Sequence, residues 1–248
     1  MLLGEPTSRA VPTDHRTVPH SDHRTEHRTE QARRQHPAAL LAAWVAETAG
    51  GHDDLKPRLL RLSDGRLVPL DVARWSAPAD ETDQTLLTRA TGTVLDVGCG
   101  PGRLTVALHE RGSEVLGLEL DPSLPVLARR AGAPVLRGDV FAPVPRSGEW
   151  DSLLLADGNV GIGGDAGALL RRAAELVAPT GQVLVELVPG ADPPPGPVRL
   201  EGLGLTSTWF RWALLGRAAL PATAAAAGLG VRETWSCGGR AFAALSPA

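Results

Sequence analysis

Between residues 93 and 188 the apolar positions follow two rhythms in alternation. Short, nearly continuous apolar runs at 93–97, 115–119, 134–137, 151–156 and 182–188 predict strands of a parallel sheet covered on both faces. The stretches between them carry helical spacing. Leu104, Ala107 and Leu108 share one face over 102–111, which Gly112 ends. Asp121-Pro122 reads as a cap followed by proline at the first helical position, with Gly132 closing that helix. Leu169, Leu170, Ala173 and Val177 mark a third helix, stopped by Pro179 and Gly181.

Outside this region the alternation weakens. Upstream, Leu40, Leu41, Trp44 and Val45 predict a helix that Gly50-Gly51 ends. Runs at 59–62 and 67–70 flank Ser63-Asp64-Gly65 as a hairpin. Arg74-Trp75 falls in a loop, and Asp80 or Thr82 caps a short helix through Leu86 and Leu87. Downstream, Pro193, Pro194, Pro195 and Pro197 predict a loop, and 205–214 reads as one strand carrying Trp209, Phe210 and Trp212. Pro221 opens a short helix that ends at Gly228. Cys237-Gly238-Gly239 joins two final strands, 231–235 and 240–245, too tightly for anything but antiparallel pairing. The fold class is therefore α/β, mostly parallel, with an antiparallel C-terminal hairpin.

Residues 1–36 differ in kind. Asp14-His15-Arg16-Thr17 recurs at 22–25 and again, with glutamate first, at 26–29. So few apolar residues cannot offset the entropy of ordering, so this stretch reads as a disordered tail. His15, His20, His23, His27 and His36 lie in it, with no closed metal-ligand spacing. The expected division is a tail at 1–36, a small helical and hairpin cap at 37–92, and the main domain at 93–248. No export signal and no apolar run of about 20 residues is found, so the expected location is cytoplasmic.

Composition narrows the partners. Twenty-five basic residues face 28 acidic ones, a formal net charge of −3, which disfavours nucleic acid. The two cysteines, Cys99 and Cys237, cannot make a zinc site by themselves. No metal is expected.

The most informative stretch is Val94-Leu95-Asp96-Val97-Gly98-Cys99-Gly100-Pro101-Gly102-Arg103. A strand runs into three alternating glycines and then into a helix, a turn whose bare backbone a ligand can touch. An acidic residue, Glu119, closes the next strand, 17 positions after Gly102. Strand, glycine turn, helix, strand and carboxylate together point to a nucleoside cofactor.

Residues 94–245 resemble the class I S-adenosylmethionine-dependent methyltransferases, on the landmarks 94–102, 115–121, 138–141, 151–158 and the terminal hairpin. The resemblance implies a Rossmann-like, doubly wound, seven-stranded sheet and S-adenosyl-L-methionine as cofactor. It implies that Asp96 organises the turn and the cofactor's amino group, and that Gly98, Gly100 and Gly102 let the backbone approach the methionine part. Cys99 is a compact filler within that turn. Glu119 would hold both ribose hydroxyls, with Leu120 beside it. Asp139 would accept from the adenine amino group, and the Val140 amide would reach a ring nitrogen. The spacing Gly-x-Gly-x-Gly departs from the Gly-x-Gly-x-x-Gly of an NAD(P)-dependent oxidoreductase, the enzymatic rival. A catalytically silent adenosyl-binding module on the same fold is the other alternative.

The loop Asp157-Gly158-Asn159-Val160 leaves the fourth strand near the transferred methyl group. Asp157 is the first candidate for a general base, and Asn159 for orienting the acceptor. The loop lacks the Asn/Asp-Pro-Pro-aromatic signature common in relatives acting on exocyclic amino nitrogens. The expected acceptor is therefore a small molecule methylated at oxygen. His52 and His109 are poorer bases. Trp75, Trp209, Trp212 and Trp235 read first as core and second as an aromatic acceptor wall. Arg74 and Arg211, beside two of them, are candidates for pairing with an anionic group on the acceptor.

Overall fold

A computed structural model describes residues 34–49, 57–188 and 196–248. The repeats at 14–29, Gly50-Gly51, His52 and prolines 193–195 lie outside the described residues. The chain begins with strand β1 (Arg34–Gln35), helix α1 (Pro37–Ala49) and the hairpin β2 (Leu59–Leu62) and β3 (Leu67–Pro69). Short helices α2 (Val72–Ser76) and α3 (Glu81–Leu87) follow. The alternating region supplies β4 (Val94–Val97), α4 (Arg103–Glu110), β5 (Val115–Glu119), α5 (Val126–Arg130), β6 (Val135–Arg137) and β7 (Trp150–Leu155). After a 3-10 segment at Asn159–Gly164 come α6 (Ala166–Leu176) and β8 (Val177–Leu187). The remainder is β9 (Pro197–Gly202), β10 (Leu205–Ser207), β11 (Phe210–Arg211), α7 (Leu220–Ala226), β12 (Leu229–Cys237) and β13 (Arg240–Pro247).

The larger sheet has seven strands in the order β12-β13-β8-β7-β4-β5-β6. Strands β4 to β8 are parallel, while β13 runs antiparallel to β8 and β12 antiparallel to β13. This is the doubly wound α/β sheet with an antiparallel C-terminal hairpin that the apolar rhythm implies. Successive side chains of a strand leave on opposite faces, so Leu153 packs in one core layer and Leu154 in the other. The strand order reverses between β4 and β7, and a ligand crevice is expected beyond the carboxyl ends of those strands.

The second sheet runs β1-β10-β9-β2-β3, with β11 also on β9. It draws on residues 34–69 and on residues 197–211, so the cap is not one contiguous N-terminal piece. Register Leu60↔Leu200 and Leu62↔Val198 stacks apolar residues over Trp44 and Leu40 of α1 in a small core of its own. The hairpin between β2 and β3 turns at Ser63-Asp64-Gly65 as expected, with Gly65 at φ 90.

Several local readings are corrected. Arg74 and Trp75 lie in α2, because the Asp71 side chain accepts from Arg74 N and starts a turn there. Asp121 caps no helix. Its Oδ1 takes both the amide and the hydroxyl of Ser123 in a local turn, and α5 begins only after Pro125. Pro101 O accepts the amides of Leu127 and Ala128 instead. Val177 starts β8 opposite Trp150, and the register shift before Ser152↔Gln182 absorbs residues 178–181. The stretch 205–214 breaks into β10 and β11, both pairing with β9. Asp80 does cap α3, in a reciprocal box with Asp83. Among the described residues no helix is long and apolar enough to cross a membrane.

Candidate active site

The carboxyl ends of β4, β5 and β7 open into a crevice of about 870 Å3 that the cap sheet and α1 roof over. Its floor is the turn after β4. Gly98, Gly100 and Gly102 all have positive φ, at 69, 55 and 104, a backbone region that L side chains resist. The three have different neighbours. A Cβ on Gly102 would meet the Cβ of Ala128 at 2.5 Å, so this glycine lets α5 close onto the turn. One on Gly98 would lie 2.9 Å from the Asn159 amide. One on Gly100 would find nothing nearer than 4.0 Å, so bare backbone lies open there. Cys99 Sγ is buried against Gly117, and burial pushes its thiol pKa well up, as suits an inert filler.

Glu119 ends β5 beside this floor. Its Oε2 accepts from Gly100 N at 3.0 Å and its Oε1 from Asp121 N at 2.9 Å. These amides fix the carboxylate and leave each oxygen a further lone pair for hydroxyl donors. Burial raises the Glu119 pKa, against the lowering effect of those amides. Asp96, 2% exposed, accepts the Thr105 hydroxyl at 2.6 Å. Burial is the largest cause lifting it to about 6, with the charges of Asp157 and Glu119 adding to the rise. At the other end of the crevice Leu120 is 64% exposed, and Asp139 uses Oδ1 to hold the Phe141 amide. Val140 is buried between them and its carbonyl accepts from Arg172.

The loop after β7 is tied to several arginines. Asp157 Oδ2 accepts from Arg103 Nη2 at 2.5 Å, and Oδ1 lies 2.9 Å from Arg74 Nη2 and 3.5 Å from Arg240 Nη2. Asp157 is thus a counter-ion to these guanidinium groups: Oδ2 is hydrogen-bonded to Arg103, while the buried Oδ1 faces Arg74 and Arg240 without a hydrogen-bond partner. Asn159 Nδ2 donates to the carbonyls of Val97 and Gly98, both at 2.9 Å, so it braces the glycine turn. Asp157 is part of a larger network that the sequence did not suggest. Arg103, 4% exposed, also pairs with the fully buried Asp83, which Arg240 holds at 2.7 Å. Arg240 reaches Glu186 as well, and Glu186 accepts the Asp157 amide. Three guanidiniums and three carboxylates from α2, α3, α4, β8, β13 and the Asp157 loop thus interlock behind the crevice.

The roof is apolar and aromatic. Trp75, Trp209 and Trp212 line the crevice; Trp75 and Trp212 also pack against the small core of the cap, whereas Trp209 is exposed. Trp235 lies elsewhere, stacked on Phe242 at 5.3 Å. His36, read as part of the tail, stands at the start of α1 and lines the crevice, whereas His109 does not.

Residues 94–181 match the family model described as a methyltransferase domain. Over this stretch the chain is similar to the class I S-adenosylmethionine-dependent methyltransferases. Among curated relatives it is 40% identical over 104 residues to malonyl-[acyl-carrier protein] O-methyltransferase of Salmonella typhimurium, covering 40% of each chain. It is 34% identical over 97 residues to ubiquinone biosynthesis O-methyltransferase of Azorhizobium caulinodans, covering 37% of this chain and 38% of that one. The chain thus spans about two fifths of the length of these curated relatives. A solved S-adenosylmethionine-dependent methyltransferase from Bacteroides fragilis, in complex with S-adenosyl-L-homocysteine, shares the fold. Its TM-score is 0.67 at 22% identity, over 84% of this chain and 94% of that one.

The methyltransferase cofactor is S-adenosylmethionine, and the residues present fit it. Gly100 offers the open backbone that an amino-acid moiety needs, and Glu119 offers two fixed acceptors for a vicinal diol. Asp139 binds the Phe141 amide through Oδ1, so its Oδ2 would suit an amino group, and the exposed Leu120 would suit an apolar ring face.

Proposed function

We infer that this chain transfers a methyl group from S-adenosylmethionine to an oxygen of a small, largely apolar acceptor. One observation carries the reading: a single crevice joins the glycine turn and Glu119 to an aromatic roof. Its volume is near the upper end of the roughly 300–1,000 Å3 of small-molecule sites, which suits a cofactor with an acceptor beside it. Oxygen as the target is supported by the two relatives named as O-methyltransferases and by the sequence Asp157-Gly158-Asn159-Val160, which lacks the amino-nitrogen signature. The acidic residues around the crevice, Asp71, Glu119, Asp121 and Asp139, oppose a polyanionic substrate.

When bound, the cofactor supplies a methyl carbon on a positively charged sulfur, already activated toward displacement. The protein's share is positioning and exclusion of water. Glu119 would accept from the ribose hydroxyls, Asp139 from the adenine amino group, and Asp96 would stand beside the ammonium. Asn159 holds the glycine turn rigid through two carbonyls. Asp157 pairs with Arg74 and Arg103 and ties the loop to the cap, and its Oδ1, buried without a hydrogen-bond partner, is the acceptor a general base would use. An acceptor whose hydroxyl is itself acidic, or a carboxyl group, needs no base.

Calorimetry against S-adenosylhomocysteine, NAD and NADP tests the cofactor, and a methyl-transfer screen of small hydroxy and carboxy acceptors tests the chemistry. Binding of S-adenosylhomocysteine alone, with turnover, is expected. Binding without any turnover would favour a silent module, and preference for NAD or NADP would overturn the reading.

A further inference from the structure

We propose that the acceptor is a flat, apolar monoanion whose carboxylate is read by Arg74. The proposal rests on the methyl-transfer reading and narrows its substrate class. Arg74 projects from α2 at the junction between the aromatic roof and the ion network. Its side chain keeps 19% of its surface exposed, and Nη2 lies 2.9 Å from Asp157 Oδ1 as an ion pair without a hydrogen bond. Nη1 is buried and has no hydrogen-bond partner. A desolvated guanidinium N–H without an acceptor is unfavourable, and an entering oxyanion would supply one.

Among the other cations nearby, Arg103 also has a buried nitrogen without a partner, its Nε, but none has a spare terminal nitrogen that is shielded. Arg103 spends both terminal nitrogens on Asp83 and Asp157, and Arg240 spends its own on Asp83 and Glu186. Arg211 is exposed, so water already satisfies its guanidinium. Of the two arginines singled out by sequence, Arg74 is the one with a shielded, spare donor.

Charge limits the ligand to a single anionic group. Arg74, Arg103 and Arg240 balance Asp83, Asp157 and Glu186, so the network carries no excess positive charge. Asp71, Asp121 and Asp139 add negative charge around the crevice. A phosphate dianion meets repulsion there, whereas a carboxylate matches one guanidinium edge. Shape comes from the roof: Leu70, Trp75, Trp209, Phe210 and Trp212 present flat apolar surface, with Phe210 and Trp212 edge-on at 6.2 Å.

The test is calorimetry on protein saturated with S-adenosylhomocysteine, using 4′-hydroxybiphenyl-4-carboxylate and 4-phenylphenol, probes that differ only in the carboxylate. Wild-type protein should prefer the acid by about tenfold or more. Arg74→Gln should abolish that preference, Arg74→Lys should lower it by about threefold because the planar fork is lost, and Arg211→Gln should keep it. The Kd for S-adenosylhomocysteine and the Tm of each variant report whether the fold and cofactor site survive. Equal binding of the two probes, a preference that persists in Arg74→Gln, or failure of both probes on protein that takes up S-adenosylhomocysteine overturns the proposal. If Arg74→Gln does not fold, an undiminished preference in Arg74→Lys overturns it. Protein that does not take up S-adenosylhomocysteine overturns the methyl-transfer reading and this proposal with it.

Discussion

Glu119 and Gly100, nineteen residues apart, are joined by a 3.0 Å hydrogen bond from the Gly100 amide to Oε2. The carboxylate proposed to hold the ribose is thereby fixed to the backbone proposed to hold the amino acid. Glu119→Ala removes two acceptors for hydroxyl donors and should weaken S-adenosylhomocysteine binding by on the order of 1–3 kcal/mol. Glu119→Gln, which keeps one carbonyl acceptor, should lose less. Calorimetry measures both, and near-wild-type affinity in the alanine variant would count strongly against the ribose assignment.

Gly100 and Gly102 should fail differently when replaced. Gly100→Ala strains a residue at φ 55 by roughly 1–2 kcal/mol and places a methyl group where nothing lies within 4 Å except Gly98 O at 4.0 Å. Its main effect should be on cofactor affinity. Gly102→Ala drives a methyl into Ala128, 2.5 Å from its Cβ and 2.9 Å from its backbone nitrogen. Its main effect should be on stability. Parallel melting and calorimetry on the two variants check the contrast, and a matching profile would refute it.

The pairing of Arg103 with Asp83 is buried on both sides. Taking one partner from such a pair typically costs about 3–5 kcal/mol, and Arg240, which also holds Asp83, should keep the loss toward the lower end. Arg103→Met should therefore lower the urea midpoint sharply. The double variant Arg103→Met/Asp83→Leu should be no less stable than Arg103→Met alone. A double variant markedly worse than the single would mean that the network contributes attraction beyond relief of burial.

These relationships were unequally visible in the sequence. The strands, the glycine turn and Glu119 are local signals, contiguous or set by one βαβ unit, and they were legible. The partnership of Asp83, Arg103 and Asp157 was not, because it joins positions 20 and 54 residues apart on three different elements. Arg103 follows the last glycine and looks like any first-turn residue of a helix. The second half of the cap was hidden for the same reason: β9 pairs with β2 about 140 residues away. Asp121 misled because an aspartate serves a local turn as readily as a helix N-terminus, and Ser123 two residues on captured it. His36 was assigned by the composition of its neighbours, whereas its position is set by α1.

Asp96 makes the site sensitive to pH in a defined direction. Burial lifts its pKa in the folded protein to about 6, against 3.8 for an ordinary aspartate, so the folded state holds the proton more tightly than the unfolded one. The stability this contributes is present below about pH 4 and is lost as pH rises through about 6. Asp96→Asn should therefore flatten the fall in unfolding free energy between pH 4 and 7. Cofactor binding should run the other way. An ammonium beside Asp96 favours the ionised carboxylate, so affinity for S-adenosylhomocysteine should rise with pH through about 6 and then level off. In Asp96→Asn that rise should shrink, with any remainder reporting Glu119, whose pKa is also raised. Calorimetry at intervals from pH 5 to 8 would settle it, and a wild-type affinity unchanged across that range would show that Asp96 does not face the ammonium.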